Sequence, residues 1–181
     1  MKLLLDTCVL YPTVMREMLI GAAAQGAFTP LWSARILEEW SRAALKLGPE
    51  GAAQARAEVT LLKANWPKAV VAPAPGVEAR LWLPDPADVH VLAAAITGHA
   101  DAIVTVNNKD FPRQTLAEEG LQRIGPDQLL YDLWLNDNAG LEALGQRVLA
   151  EANRLSGGGW EIRPLLKKAR LPRLAKALAG L

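Results

Sequence analysis

Short apolar stretches alternate with helix-like stretches through the first two-thirds of the chain, and this alternation limits the fold more than any other feature. The strand-like runs are Lys2–Leu5, Phe28–Leu31, Ala69–Ala72, Ala102–Val106 and Leu121–Ile124. Strands separated by helices favour a mostly parallel sheet that is covered by helices on both faces. We therefore predict the α/β fold class, with three α/β/α layers and a mostly parallel central sheet.

Caps and breakers mark the predicted helices. These helices cover residues 12–24, 34–47, 52–66, 86–97 and 111–119. Ser33 is a suitable N-cap for the second of them, and Asp85 for the fourth. Gly48 and Pro49 are expected to end the second helix.

The chain from Asp127 onward is predicted to be helical, with breaks at 156–159, Pro164 and Pro172. The run Gly157–Gly159 is the best candidate for a linker. We predict one α/β domain over residues 1–137 and a helical C-terminal extension over residues 138–181.

The net charge of +1 is unevenly distributed. Residues 160–181 carry six Lys or Arg residues and one Glu, a net charge of +5, which leaves −4 on residues 1–159. An acidic body with a basic tail fits a metal site beside a phosphate-binding surface. The alternative is an ordinary solvated helix face.

Cys8 is the only cysteine of the 181 residues. It excludes an internal disulfide and a cysteine-cluster zinc site, and it favours a reducing compartment, so we expect a cytoplasmic protein. No apolar run is long enough to cross a bilayer, so we expect no membrane partner.

Acidic side chains stand at the ends of the predicted strands and helices. Asp6 directly follows the first strand, and Asp110 follows the fourth. Because the carboxyl ends of parallel strands share one edge of a sheet, both should lie at that edge. Three further acids come from helices that could reach the same edge: Glu39, Asp85 and Asp88.

Clustered carboxylates repel one another, and a bound cation would relieve that repulsion. Hard oxygen ligands favour Mg²⁺ or Mn²⁺. Such ions lower the pKa of a bound water and offset charge on a phosphate, so the pattern indicates phosphodiester hydrolysis. Simpler interpretations remain open: a helix cap for Asp85 or Asp110, a favourable helix-dipole contact for Asp88, and an exposed position for Glu39.

Three segments, in order, resemble the motifs of the PIN-domain nucleases. LLLDTCVLYP resembles their opening strand, and SARILEEWSR resembles their second motif, where Glu39 rather than Glu38 occupies the acidic position. LPDPADVHVLAAAITGHADAIVTVNNKDFP resembles the third and fourth motifs run together, with Asp88 and Asp110 at the acidic positions. The resemblance covers about residues 1–127. Glu38 is expected to pair instead with Arg42, one helical turn away.

This resemblance implies a metal-dependent endoribonuclease with four catalytic residues: Asp6, Glu39, Asp88 and Asp110. Of these, Asp6, Asp88 and Asp110 would hold Mg²⁺ or Mn²⁺, and the supporting residues would be Thr105, Asn107 and Asp85. Many relatives carry an aspartate where Asn107 stands. An amide can ligate a metal through its oxygen but brings no charge, so one ion and two ions are both open.

Most bacterial proteins of this kind are toxins of the VapC type, which cut structured RNA. We therefore expect RNA as the substrate (transfer RNA or ribosomal RNA), a cognate antitoxin protein and a homodimer. The basic residues expected to contact phosphates are Arg16, Lys109, Lys167, Lys168, Arg170 and Arg173. From about Gly140 the chain resembles the additional helical segment of longer VapC-like proteins.

The sequence fits other functions less well. A catalytically inert PIN-fold binding module and a housekeeping RNA-processing nuclease remain alternatives. A phosphatase with an aspartyl nucleophile usually needs a second aspartate two residues on, where this chain has Cys8. The absence of a Gly-rich phosphate loop counts against a nucleotide-dependent enzyme. His90 is expected to pack or to donate an N–H bond rather than to act as a base.

Overall fold

A computed structural model of the chain describes residues 1–180. These residues form a five-stranded sheet in the order β3-β2-β1-β4-β5, made of β1 (Lys2–Leu5), β2 (Thr29–Ser33), β3 (Val70–Val71), β4 (Ala102–Val104) and β5 (Gln122–Ile124). All five strands are parallel and helices flank the sheet, which confirms the predicted α/β class.

Eleven α-helices are present in the described part of the chain. They are α1 (Thr7–Leu10), α2 (Thr13–Ala24), α3 (Ala34–Ala44), α4 (Gly48–Asn65), α5 (Pro75–Glu78), α6 (Val89–Thr97), α7 (Arg113–Glu118), α8 (Pro126–Asn136), α9 (Asn138–Ser156), α10 (Ile162–Lys168) and α11 (Pro172–Leu178). Two short 3-10 turns, Leu45–Leu47 and Pro86–Asp88, directly precede α4 and α6.

The central strand β1 explains why the sheet is stable and where its functional edge lies. Leu3, Leu4 and Leu5 are fully buried, so both faces of the sheet are covered there. Leu4 is aligned with Leu31 of β2 and Ile103 of β4, and α6 packs against all three strands. Because β1 and β4 are neighbours, the residues that follow them emerge side by side at the carboxyl edge.

Two compact units are interleaved along the chain. The first comprises Met1–Tyr11 and Thr29–Arg123 and contains nearly all of the sheet. The second comprises Pro12–Phe28 and the chain from Ile124 onward, and in it α2, α8 and α9 pack together while α11 packs on α8 and α10. The predicted domain division after residue 137 stays a prediction.

Three details differ from the sequence prediction. Gly48 ends the helical stretch 34–47 as expected, but it also begins α4, four residues before the predicted start at residue 52, because its φ of +83° lets the chain turn and Pro49 fits the first turn that follows. The short helix α1 was not predicted. Pro164, expected to break a helix, lies in the first turn of α10, where a missing N–H costs no intrahelical bond.

Several local predictions are confirmed. Ser33 Oγ accepts the backbone N–H of Ile36 at 3.2 Å and so caps α3. Asp85 caps the turn before α6, and Glu38 pairs with Arg42 at 2.9 Å. Within residues 1–180, no helix combines the length and the apolar character needed to cross a bilayer.

Candidate active site

Asp6 is the buried acid at the end of β1. It is only 5% exposed, and its Oδ2 accepts hydrogen bonds from Thr105 Oγ1 at 2.7 Å and Cys8 Sγ at 3.0 Å. Thr105 directly follows β4, so the pairing of β1 with β4 brings the hydroxyl to the carboxylate. These two hydrogen bonds replace those that the carboxylate would make with water if it were exposed.

Cys8 belongs to this network as a neutral thiol. Its Sγ lies 3.2 Å from Thr105 Oγ1 and accepts the backbone N–H of Val106 at 3.4 Å. Burial and the charge of Asp6 raise the pKa of the Cys8 thiol to about 12. A thiol with that pKa is protonated at neutral pH, so Cys8 is a hydrogen-bond donor and not a nucleophile.

Asp85, Asp88 and Asp110 form a group of carboxylates. One oxygen from each lies within 4.8 Å of the others, an arrangement that could hold a metal ion. Two short segments bring them together: the 3-10 turn before α6 carries Asp85 and Asp88, and the loop after β4 carries Asp110. The sequence predicted Asp88 and Asp110 as ligands, but it gave Asp85 only a supporting place.

Asp88 is the acid whose ionisation the site disfavours. Burial and the surrounding negative charges raise its pKa from 3.8 to about 6. The charges belong, in decreasing order of effect, to Asp6, Asp85, Asp110 and Glu39. Four separate acids are therefore near enough to Asp88 to repel its negative charge.

Asn107 is a neutral residue that donates a hydrogen bond to Asp88. Its Nδ2 donates to Asp88 Oδ2 at 3.0 Å, and its backbone N–H donates to Thr105 Oγ1 at 3.0 Å. The residue that departs from the usual aspartate is therefore within contact distance of the acid cluster. Its amide oxygen remains available as a neutral ligand.

Glu39 lies beside the cluster and is held by groups of its own. Its Oε2 accepts from Thr7 Oγ1 at 2.9 Å, while its Oε1 lies 2.7 Å from His90 Nε2 and 3.8 Å from Arg35 Nε. Burial favours a higher pKa for Glu39, but His90, Thr7 and Arg35 together lower it below its usual value.

The predicted phosphate contacts differ in how they are placed. Lys109, Lys167 and Arg170 are exposed, whereas Arg16 is buried and lies 3.8 Å from Glu17. The remaining two contact aromatic rings: Lys168 lies over Trp160, and Arg173 lies over Tyr131 and contacts Gln128. Lys168 and Arg173 are nevertheless exposed, so Arg16 is the one buried residue of the six. All six stay predictions as RNA contacts.

Sequence reasoning named Thr105 as a supporting residue but missed other residues that orient the acids. Thr7 and Cys8 directly follow Asp6, so their position at a strand end was the available signal. Arg35 lies one helical turn before Glu39, which is the usual spacing for an ion pair. The approach of His90 to Glu39 depends on the packing of α6, and no local pattern reveals it.

The comparisons with known proteins agree with this geometry. The family model for the PIN domain matches residues 2–109, and the chain belongs to that family. The match includes Asp6, Glu39, Asp85 and Asp88 and ends just before Asp110. No curated protein and no solved structure matches the chain. Membership of the family indicates a nuclease-type function.

The donor set fits a divalent cation. The group offers only oxygen ligands, which suits Mg²⁺ and Mn²⁺ and not the softer metals. The raised pKa of Asp88 reflects repulsion that a cation would relieve. Asp6, a predicted ligand, lies outside the group of three, and its role as a ligand stays a prediction.

Proposed function

We propose that the protein is a metal-dependent endoribonuclease that hydrolyses phosphodiester bonds in RNA. One observation carries this proposal: one carboxylate oxygen from each of Asp85, Asp88 and Asp110 lies within 4.8 Å of the others, so their negative charges repel one another. Repulsion between acids destabilises the folded state and is typical of functional sites. A bound divalent cation is the simplest group that would relieve it.

Asp85, Asp88 and Asp110 would hold Mg²⁺ or Mn²⁺, with Asp6 as a further candidate. When bound, such a cation lowers the pKa of water and offsets negative charge on the phosphate. Asn107 would bring a neutral oxygen to the same place. A single ion matches the number of carboxylates that the group brings together.

The other residues of the site would orient the reacting groups. Thr105 and Cys8 fix the carboxylate of Asp6, and Thr7 and His90 fix that of Glu39. Glu39, whose pKa is lowered, is a carboxylate at neutral pH and can accept a proton from an attacking water. Because Cys8 is a neutral thiol, direct attack by water is favoured over a covalent cysteine intermediate.

RNA would be held mainly through its phosphates. Lys109 is exposed next to Asp110 in sequence, and Lys167 and Arg170 are exposed in the helical second unit. Such contacts supply affinity without reading the sequence. The family resemblance implies products with 5′-phosphate and 3′-hydroxyl ends, and transfer RNA or ribosomal RNA as the substrate.

Cleavage by matched variants tests this proposal. Purified protein should cut single-stranded or structured RNA with Mg²⁺ or Mn²⁺ and stop on addition of EDTA. Asp88→Asn should lower the rate at least about a hundredfold, a loss on the scale of one catalytic group. The control Asp101→Asn changes an acid that only accepts the backbone N–H of Lys2. Equal rates for both variants would contradict the proposal.

We propose the biological role of a toxin from the resemblance to VapC-type proteins, with a cognate antitoxin and a homodimer as its expected partners. Expression of the parent should then arrest growth, expression of Asp88→Asn should not, and a protein encoded beside it should relieve the arrest. Growth without arrest by an active enzyme would favour the housekeeping RNA-processing nuclease.

The inert binding module is the second candidate, and Asn107 is the observation that favours it. A neutral amide where relatives carry an acid weakens the attraction for a cation. The two candidates differ in metal binding, because an inert module has no need of an ion. A titration with Mn²⁺ therefore separates them.

A further inference from the structure

A small pocket in the first unit lies beside residues that approach Glu39. Its apolar lining includes Val71 of β3, Pro73 just after that strand, and Ala93 and Ala94 of α6. The free space inside is about 80 Å³, several times the roughly 10–15 Å³ that one water needs. That space suits one flat ring and is too small for a drug-sized ligand.

The pocket shares two residues with the surroundings of Glu39. Arg35 and His90 both line it, and both approach Glu39 Oε1, at 3.8 Å and 2.7 Å. Arg35 also bonds Glu78 at 3.3 Å, so two carboxylates hold the guanidinium at this position. A ligand in the pocket would therefore lie one side chain away from a proposed catalytic acid.

The pocket has four polar side chains, of which Ser33 caps α3 and the others are Arg35, Glu78 and His90. Arg35 and Glu78 are partly exposed, while His90 is buried and its Nδ1 has no hydrogen-bond partner among residues 1–180. A ligand with a polar edge could supply that missing partner after a small shift of the ring. Apolar walls with a few polar groups are typical of sites that bind a planar ring and fix its orientation.

We propose that this pocket binds one unpaired nucleobase of the RNA, next to the phosphate that is cleaved. This inference rests on the proposed nuclease function and adds a substrate class to it: RNA with a base that is free to leave its stack. A nucleobase has apolar faces for the alanine and valine side chains and a polar edge for His90 and Glu78. The Arg35 guanidinium is a suitable contact for the phosphate of the same nucleotide.

The test fills the pocket with a larger side chain introduced at an exposed residue of its lining. Ala72 lines the pocket but is itself exposed, so Ala72→Phe should fold and occupy the space. The matched control is Ala79→Phe, because Ala79 is also exposed and does not line the pocket. Unfolding curves of both variants establish that they are folded before binding is measured.

The probe is a short single-stranded RNA with a fluorescent label, together with copies in which each base in turn is replaced by an abasic site. Binding is measured with the parent and both variants, and cleavage of the unmodified RNA is measured separately. We expect an abasic site at one position to weaken binding to the parent about tenfold, the scale of one lost base contact. Ala79→Phe should show the same loss, and Ala72→Phe should show none.

Three outcomes would overturn the subsite. They are equal binding of every abasic RNA by the parent, an Ala72→Phe variant that still discriminates as the parent does, and a parent that binds none of these RNAs. If the parent cuts RNA in any of these cases, the nuclease proposal stands and only the subsite fails. If binding to the parent depends on one base but the parent cuts neither this RNA nor structured RNA with Mg²⁺ or Mn²⁺, the subsite stands and the nuclease proposal fails.

Discussion

The negative charge of Asp88 opposes folding and favours the binding of a cation. Its side chain is partly buried near four other acids, and its pKa is about 6. Ionisation of Asp88 therefore opposes folding at neutral pH in the absence of a cation. The same repulsion is what makes the group receptive to a positive charge.

The first prediction concerns the pH dependence of stability without metal. Because the pKa of Asp88 is raised in the folded state, its stabilising contribution is full below about pH 4 and is lost as pH rises through 6. The stability of Asp88→Asn should not fall in this way as pH rises through 6. At pH 7.5 we expect the variant to gain about 1 kcal/mol after solvent screening, or about 2–4 °C in Tm.

Thermal unfolding in EDTA at pH 4.5 and pH 7.5 measures this difference. The gain of Asp88→Asn over the parent should be larger at the higher pH. A variant that is less stable than the parent at pH 7.5 would show that Asp88 is not under repulsion.

The second prediction concerns Asn107, which donates to Asp88 at 3.0 Å. Asn107→Asp replaces that donor with a carboxylate, which adds a fifth negative charge around Asp88. The protein should therefore lose stability in EDTA and bind Mn²⁺ more tightly. Asn108→Asp is the matched control, because its side chain is exposed and adds the same charge one residue away. Calorimetric titration with Mn²⁺ distinguishes the two, and equal affinities would remove Asn107 from the site.

At the scale of elements, the carboxyl ends of β1 and β4 and the start of α6 are what build the site. Part of this was predictable, because apolar runs marked the strands, Asp6 directly follows the first strand and Asp110 lies in the loop after the fourth. The parallel arrangement places Asp6 and Asp110 at one edge, whereas Asp88 reaches that edge from the turn before α6. The match of residues 2–109 to the PIN family agrees with it.

The remainder of the site depends on packing that no local pattern encodes. Asp85 was predicted as a cap, and it does cap the turn before α6, but the same side chain also joins the acid group. His90 of α6 lies 2.7 Å from Glu39 of α3, although the two residues are far apart in sequence. A cap and a ligand carry the same sequence signature, so only three-dimensional structure separates them.

The third prediction concerns the end of α6, where Gly98 packs closely. A Cβ at Gly98 would lie 2.9 Å from Val71 Cγ2 and 3.0 Å from Leu31 Cδ1. Gly98→Ala should therefore push α6 away from β2 and β3 and cost about 1–3 kcal/mol. Gly76→Ala is the control, since a Cβ there meets nothing within 4 Å.

Urea unfolding of both glycine variants measures this cost. The midpoint should fall for Gly98→Ala and stay the same or rise slightly for Gly76→Ala. A Gly98→Ala protein as stable as the parent would mean that the end of α6 is loosely packed.

At the scale of the whole molecule, charge is divided between an acidic body and a basic C-terminal part. Residues 160–181 carry +5 while residues 1–159 carry −4. Sequence composition alone revealed this division, but it did not reveal that Arg173 and Lys168 contact aromatic rings. Both side chains stay exposed, whereas Arg16 is buried.

The fourth prediction follows from that division. Replacing Lys167 and Arg170 together with Ala should weaken RNA binding and flatten its dependence on salt, because fewer counterions are released. Mn²⁺ binding should not change. Arg154→Ala is the control, since that guanidinium pairs with Glu151 at 2.6 Å. Identical salt slopes for all three proteins would exclude the tail from RNA binding.

The fifth prediction addresses the acid cluster as a cation site. Mn²⁺ is titrated into the parent, Asp88→Asn and Asp101→Asn at pH 7.5, and the Tm of each is followed. A ligand that binds only the folded state raises stability by about 2.7 kcal/mol at a hundred times its Kd. The Tm of the parent and of Asp101→Asn should rise with metal while that of Asp88→Asn stays nearly constant. A parent Tm that does not move at millimolar Mn²⁺ would contradict the cation site and the nuclease built on it.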